Sequence, residues 1–342
     1  MLTIVIIAIV IALLFDFLNG MNDAANSIAT IVSTKVLSPT SAVIWAAFWN
    51  FIAFLVFGVH VANTIGKGIV DANLINPYII LSALTGAVAW VWICTHYGLP
   101  ISVSHALIGG LIGPVWFTYG SSALITSGIF KVALFIVLSP LIGMILSFIF
   151  MSLTMWIFKK RHPLKVEGLF HGLQLFSSAI FSLGHGGNDA QKTMGIIAVL
   201  LYSVAGSNDF IANFYDPSLG FHVPLWLVLT CHFVIAMGTI TGGWRVIKTL
   251  GDGLAKLKPV QGFCAETAGA ATLIGTSLAG IPVSTTHTIT GSIIGVGMTK
   301  GVKSVRWATA KNIVGAWIFT IPCTLIFSGL IYLFLNQVLN LS

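Results

Sequence analysis

The sequence predicts an all-α integral membrane protein built from two inverted-topology repeats, each with a broken helix and a re-entrant helical hairpin. Three observations carry that prediction. Of the 342 residues 57% are hydrophobic and only 7% charged, where a soluble chain of this length carries about 85 charged residues. The apolar residues fall in runs that match the roughly 20 residues a helix needs to cross a bilayer. Polar motifs then recur in the second half in the order in which they occur in the first. A soluble globular domain is excluded, because so few charges cannot cover its surface.

In chain order, the first apolar segment covers residues 2–33, too long for one straight crossing and interrupted by Asn19, Gly20, Met21, Asn22 and Asp23. It lacks a basic start and a small-residue cleavage site, so it is expected to be a membrane segment and not a removable signal. A second covers 39–59. Two shorter pieces, 77–93 and 102–117, flank Gly98, Leu99 and Pro100, and a long segment, 129–158, ends in Lys159, Lys160 and Arg161. The series then restarts with 169–202, interrupted by Gly186, Gly187, Asn188 and Asp189. It continues with 223–244, the short pieces 263–278 and 284–298, and finally 313–335. The halves are 1–162 and 163–342, together one integral membrane domain. Cys94, Cys231, Cys264 and Cys323 have no metal or redox spacing and are expected to be small core residues.

The repeat is visible in letters. Gly20-Met21-Asn22-Asp23-Ala24 recurs as Gly186-Gly187-Asn188-Asp189-Ala190, and Gly98-Leu99-Pro100-Ile101-Ser102-Val103-Ser104-His105 as Gly280-Ile281-Pro282-Val283-Ser284-Thr285-Thr286-His287. Gly109 and Gly113 are answered by Gly291 and Gly295. Generic hydrophobicity does not reproduce polar identities at matching positions. Of the 16 Lys and Arg, 12 lie in the stretches 159–165, 245–258 and 300–311. Such stretches mark cytoplasmic loops, not a nucleic-acid surface. With each pair of short pieces counted as a re-entrant hairpin, both termini fall outside and the two hairpins enter from opposite sides. Inverted repeats with helix breaks near the midplane are a construction of secondary transporters.

The chemistry lies at the repeated motifs. Asp23 and Asp189 sit inside apolar segments, where an ionised carboxylate costs at least about 3 kcal/mol, so each needs a partner or a cation. Lys192, three residues after Asp189, supplies one such partner; a bound cation held by Asn22, Asp23, Asn188 and Asp189 is the other reading. Asn26 shares a helical face with Asn22. Ser102 and Ser284 are expected to cap the helices that follow them. One hydroxyl suffices for capping, yet Ser104, Thr285 and Thr286 add more, and helix N-termini with extra hydroxyls suit a tetrahedral oxyanion. His105 and His287 stand one turn behind the caps, either as local hydrogen-bonders or as proton carriers. Asp16, seven residues before Asp23, and Glu266, near a basic flank of the second hairpin, are secondary candidates.

The GMNDAAN and GHGGNDAQK segments, with PISVSH and PVSTTH at matching places, resemble the PiT family of inorganic phosphate transporters, which move phosphate with sodium or with protons. The resemblance covers essentially the whole chain. It implies import of phosphate across the cell (inner) membrane by a multi-pass, sodium-coupled secondary transporter, and not an enzyme. Phosphate is then expected on Asn22, Asp23, Ser102, Ser104, Asn188, Asp189, Ser284, Thr285 and Thr286, and sodium on Asn22, Asp23, Asn26, Asn188 and Asp189. His105, His287, Lys192, Glu266 and Asp16 stand beside them as coupling or secondary residues. No cofactor is expected beyond transported sodium; the partners are phosphate, sodium and the lipid bilayer, with no nucleic acid and, by analogy, a homodimer. Asn50 stands where some members carry Glu. The alternative within the family is a proton-coupled phosphate or a sulfate transporter. Outside it are an intramembrane aspartyl protease, which also sets two aspartates in membrane helices, and a passive anion channel, whose pore is more naturally lined with Lys or Arg.

Overall fold

Residues 2–71 and 74–339 are described by a computed structural model, and their only β contact is an isolated bridge between Val70 and Leu124. The expected outside placement of the two termini concerns Met1 and residues 340–342, which lie outside the described residues. The first half runs α1 (Leu2–Ser33), α2 (Pro39–Ile52), α3 (His60–Gly68), α4 (Pro77–Tyr97), α5 (Val103–Tyr119) and α6 (Thr126–Phe158). The second runs α7 (Pro163–Ala205), α8 (Asp209–Ala212), α9 (Leu225–Thr241), α10 (Trp244–Gly251), α11 (Pro259–Leu278), α12 (Thr285–Met298) and α13 (Trp307–Leu339). Local chemistry sets many of these ends. Ser38 accepts from the Ser41 amide ahead of Pro39, and Asn76 accepts from the Tyr78 and Ile79 amides ahead of Pro77. Proline at a first helical position after such a cap costs no hydrogen bond. Gly98, at φ 71°, closes α4 in the left-handed conformation.

Among the described residues four helices, α1, α4, α6 and α13, are long and apolar enough to cross a membrane. A fifth crossing is added if α9 and α10, bent by 74° at Gly242 and Gly243, form one span. Large apolar side chains such as Val10, Val137, Ile318 and Phe334 face outward, a surface that suits lipid and not water. The chain is a multi-pass membrane protein.

The expected breaks in the two motif helices do not occur. α1 runs unbroken through Asn19 to Asp23, and α7 runs unbroken for 43 residues through Gly186 to Asp189. Their glycines serve close approach instead of unwinding. A Cβ at Gly20 would stand 2.1 Å from the Ile235 carbonyl oxygen of α9, and one at Gly186 would stand 2.5 Å from the Asn50 carbonyl oxygen of α2. The helices thus touch backbone to backbone, and the small residue is the condition for that contact. The first hairpin also departs from a pair of half-membrane pieces. α4 extends to Tyr97, and its 21 residues span about 31 Å, the thickness of the hydrocarbon core.

The repeat exchanges partners between the halves. α5 packs on α13 and α12 packs on α6. Matching glycines make both contacts: a Cβ at Gly109 would meet Ile321 O at 2.6 Å, and at Gly291 it would meet Pro140 O at 2.0 Å. Gly113 and Gly295 repeat the pattern one turn later against Leu325 O and Met144 O, each at 2.2 Å. Two apolar cores result, one around the start of α1 and the end of α7, the other around the end of α1 and the start of α11 and α12. Cys94, Cys231 and Cys264 are buried within them. The polar motifs lie between the two cores.

Candidate functional site

Four helix segments meet at one buried place: the middles of α1 and α7 and the first turns of α5 and α12. The turns are set locally. Ser102 and Ser284 are extended, and each Oγ accepts the amide three residues on, that of His105 and of His287, both at 3.2 Å. Both serines are the caps expected of them, and a capping hydroxyl keeps its own proton to donate.

Around these turns Asp23, Asn26, Ser104, His185, Asp189, Lys192, Thr285 and Thr286 are all buried, Ser104 being the most exposed at 6%. The Thr285 hydroxyl reaches both aspartates, 2.9 Å from Asp189 Oδ2 and 3.2 Å from Asp23 Oδ2, while Thr286 Oγ1 lies 3.3 Å from Asp23 Oδ1. One hydroxyl has one proton, so Thr285 satisfies one carboxylate at a time. Asn26 Nδ2 donates to Thr285 and Thr286 Oγ1 at 3.1 and 3.0 Å. Lys192 Nζ pairs with Asp189 Oδ1 and donates to Ser104 Oγ at 2.5 Å and to the Val283 carbonyl at 2.9 Å. His185 Nε2 lies 3.1 Å from Asp189 Oδ2, and its Nδ1 lies 3.1 Å from Asn50 Oδ1. Ligand atoms of Asp23, His185 and Asp189 lie within 4.8 Å of one another. Two carboxylates from opposite halves thus share a site with one ammonium. At low dielectric their field draws a further cation strongly, and an anion only when that cation is present.

The remaining candidates lie near the cluster or away from it. Asn22 donates to Thr95 Oγ1 at 2.7 Å, while Asn188 is buried with no hydrogen-bond partner on either side-chain atom among the described residues. His105 and His287 meet edge to face with ring centroids 4.8 Å apart, and His287 stacks on Trp317. Asp16 accepts from Thr193 at 2.8 Å. Glu266 is fully buried and accepts from Thr30, Gln174 and Ser177 at 2.6, 2.9 and 2.5 Å. Because α1 is continuous, Asp16, Asp23 and Thr30 repeat every seven residues on one face, about 10 Å apart. The acid contacts form a column along that helix, with the aspartate pair in the middle.

His185 is the cluster residue that sequence reasoning leaves out. The signal was present, because it stands four residues before Asp189 as Asn19 stands four before Asp23. Gln174, Ser177 and Thr193 carry no motif and are found only through the acids they serve.

A model of the phosphate transporter family matches residues 19–328. A protein of Rhizobium meliloti (strain 1021) described as "Probable low-affinity inorganic phosphate transporter" is 52% identical over 95% of this chain and 94% of its own length. One of Bacillus subtilis (strain 168) with the same description is 40% identical over 99% of both chains. Among solved structures, "The sodium-dependent phosphate transporter" superposes with a TM-score of 0.85 at 27% identity, covering 98% of this chain and all of that one.

Proposed function

The chain belongs to the phosphate transporter family, and we propose that it imports inorganic phosphate across the cell membrane together with sodium ions. Relatives of this similarity are described as transporters, so the chain is not an enzyme and the paired aspartates are not a protease dyad. The observation that carries the sodium reading is the Thr285 hydroxyl within hydrogen-bond distance of both Asp23 and Asp189 in a buried cluster. Two carboxylates so placed repel phosphate until cations lie between. Asp23, Asn22 and Asn26 from one half and Asp189 and Asn188 from the other supply oxygens for sodium. Ser102, Ser104, Ser284, Thr285 and Thr286, with Asn22, Asp23, Asn188 and Asp189, surround the phosphate. Sodium without phosphate lacks ligands, and phosphate without sodium meets a negative site, so each raises the affinity for the other.

The halves 1–162 and 163–342 act as inverted repeats of one transport domain, with the turns at 98–102 and 279–284 converging on the site from opposite halves and both termini outside. Contacts that cross between the halves support this: Asn26 reaches Thr286 as Lys192 reaches Ser104, and both pairs occupy matching repeat positions. The protein works as a homodimer without a resident cofactor.

Purified protein in liposomes is the test, with labelled phosphate outside and an inward gradient of sodium, potassium or choline at fixed pH and ionic strength. Uptake against a phosphate gradient with sodium alone is the expected result. Equal accumulation in all three salts, driven instead by a proton gradient, overturns sodium coupling, and competition by sulfate equal to that by phosphate overturns the anion.

A further inference from the structure

We propose that Lys192 is a built-in cation, its ammonium holding in the second half the place that a mobile sodium ion holds in the first. This rests on the sodium-coupled reading above and deepens it. In the repeat alignment set by Gly20 and Gly186, Asn26 of α1 corresponds to Lys192 of α7, and in that set by Gly98 and Gly280, Ser104 corresponds to Thr286. The contacts obey the same correspondence: Asn26 Nδ2 lies 3.0 Å from Thr286 Oγ1, and Lys192 Nζ lies 2.5 Å from Ser104 Oγ. Yet the two residues bring opposite resources.

The ammonium is ringed by a carboxylate, a hydroxyl and a backbone carbonyl, from Asp189, Ser104 and Val283, with the lysine only 1% exposed. Three kinds of oxygen from three chain segments are what a small monovalent cation takes, and here a tethered one takes them. In the first half the positions around Asp23 are amides. The side-chain oxygens of Asn19, Asn22 and Asn26 are all buried and accept no hydrogen bond from the described residues. Buried acceptors without donors are expensive unless something positive meets them. Among the described residues the first half therefore has buried acceptors without donors and an aspartate with no basic partner from its own half. The second half brings its own positive charge. With Lys192 in place the two aspartates and one ammonium leave a single negative charge, which one monovalent ion neutralises. Without it the deficit is two. Lys192 accordingly sets the number of ions that accompany each phosphate and lowers it by one.

The test replaces Lys192 by its first-half counterpart. Lys192→Asn protein in liposomes is compared with wild type for labelled sodium and labelled phosphate taken up together, and for the slope of phosphate uptake against sodium at constant ionic strength. The expected result is one more sodium per phosphate and a log–log slope at low sodium steeper by about one, because an extra bound ion enters the linkage. In detergent, thermal stability of the variant is expected to rise more steeply with sodium than that of wild type. Lys192→Arg, which keeps the charge, retains the wild-type slope at whatever rate it transports. An unchanged sodium-to-phosphate ratio and slope with a lower maximal rate overturns the proposal and leaves Lys192 a packing counter-ion. So does a variant that stays unfolded at every sodium concentration, since a vacated cation place would be refilled. Wild-type uptake indifferent to sodium defeats sodium coupling itself. Sodium dependence then appearing only in Lys192→Asn still supports the built-in cation.

Discussion

Around Asp23 the first half places Asn19, Asn22 and Asn26; around Asp189 the second places His185, Asn188 and Lys192, at the same helical spacings. The backbone contacts of the two halves are duplicated, whereas the side chains around the shared aspartate are not, Asn22 and Asn188 excepted. Gly20 and Gly186 both press on a carbonyl of a neighbouring helix, and Gly109 and Gly291 both press on the last helix of the opposite half. Glycines at contacts and serines at caps preserve the fold, so they recur. Beyond the aspartate, asparagine and histidine pairs, other polar side chains of the site do not: in the repeat alignment Asp16 corresponds to Ser182, Glu266 to Leu84 and Thr285 to Val103. A duplicated scaffold thus carries two different sets of polar side chains around the same aspartate.

The largest effect that tests this contrast is on the aspartates. Asp189→Asn strands Lys192, a buried ammonium, and takes away the partner of His185 Nε2, so the loss of stability is expected to be about 3–5 kcal/mol. Asp23→Asn removes only a partner of the hydroxyls of Thr285 and Thr286, an expected loss of about 1–2 kcal/mol. Thermal unfolding in detergent orders the two. Phosphate uptake is expected to fall by at least about tenfold in both, the equivalent of one hydrogen bond to a charged group. Equal melting of the two variants breaks the asymmetry between the halves.

A smaller, symmetric effect is expected at the glycines. Gly20→Ala and Gly186→Ala each drive a methyl group into a carbonyl oxygen, at 2.1 and 2.5 Å, where helix must shift against helix. Each is expected to cost about 1–3 kcal/mol, slightly more at Gly20, with expression and melting temperature as the measures. Tolerance of alanine at both sites returns these glycines to the role of flexible breaks.

That role is what the sequence suggested, and the reason it misled is physical. A glycine beside polar residues in an apolar run is compatible with an unwound helix and with a close crossing, and only the partner's backbone decides. Ile235 and Asn50 lie in segments far from the motifs, so the deciding contact has no local trace. The ends of α1 were legible because Leu2 and Ser33 bound one apolar run. The helices α3 and α10 were missed because each is shorter than ten residues and one-sided, and so gives no long apolar run. The aspartates and hydroxyls were legible because they recur. Lys192 with Asp189 was visible as a spacing of three, but its reach to Ser104 and Val283 crosses about 90 residues of chain. His185 hid because it is not repeated: its counterpart is Asn19.

The smallest expected effect falls where the halves are most alike, at the two caps. Ser102 and Ser284 have nearly the same backbone, φ −89° and −85°, and the same 3.2 Å bond to the amide three residues on. Loss of a capping hydroxyl costs about 1 kcal/mol, so Ser102→Ala and Ser284→Ala are expected to lower stability by that amount each. The two turns share Lys192, which donates to Ser104 and to the Val283 carbonyl, and the rings of His105 and His287 meet between them, so the double variant is expected to depart from the sum. Their effects on transport separate capping from binding. If the hydroxyls only cap, stability falls while the folded variants keep the wild-type affinity and saturate at wild-type phosphate concentrations. If their free protons also reach the anion, each substitution weakens phosphate by roughly 1–2 kcal/mol without changing the affinity for sodium measured in its absence. A cap that matters for phosphate in one half only extends the asymmetry of charge to the turns, although their backbone geometry is the same.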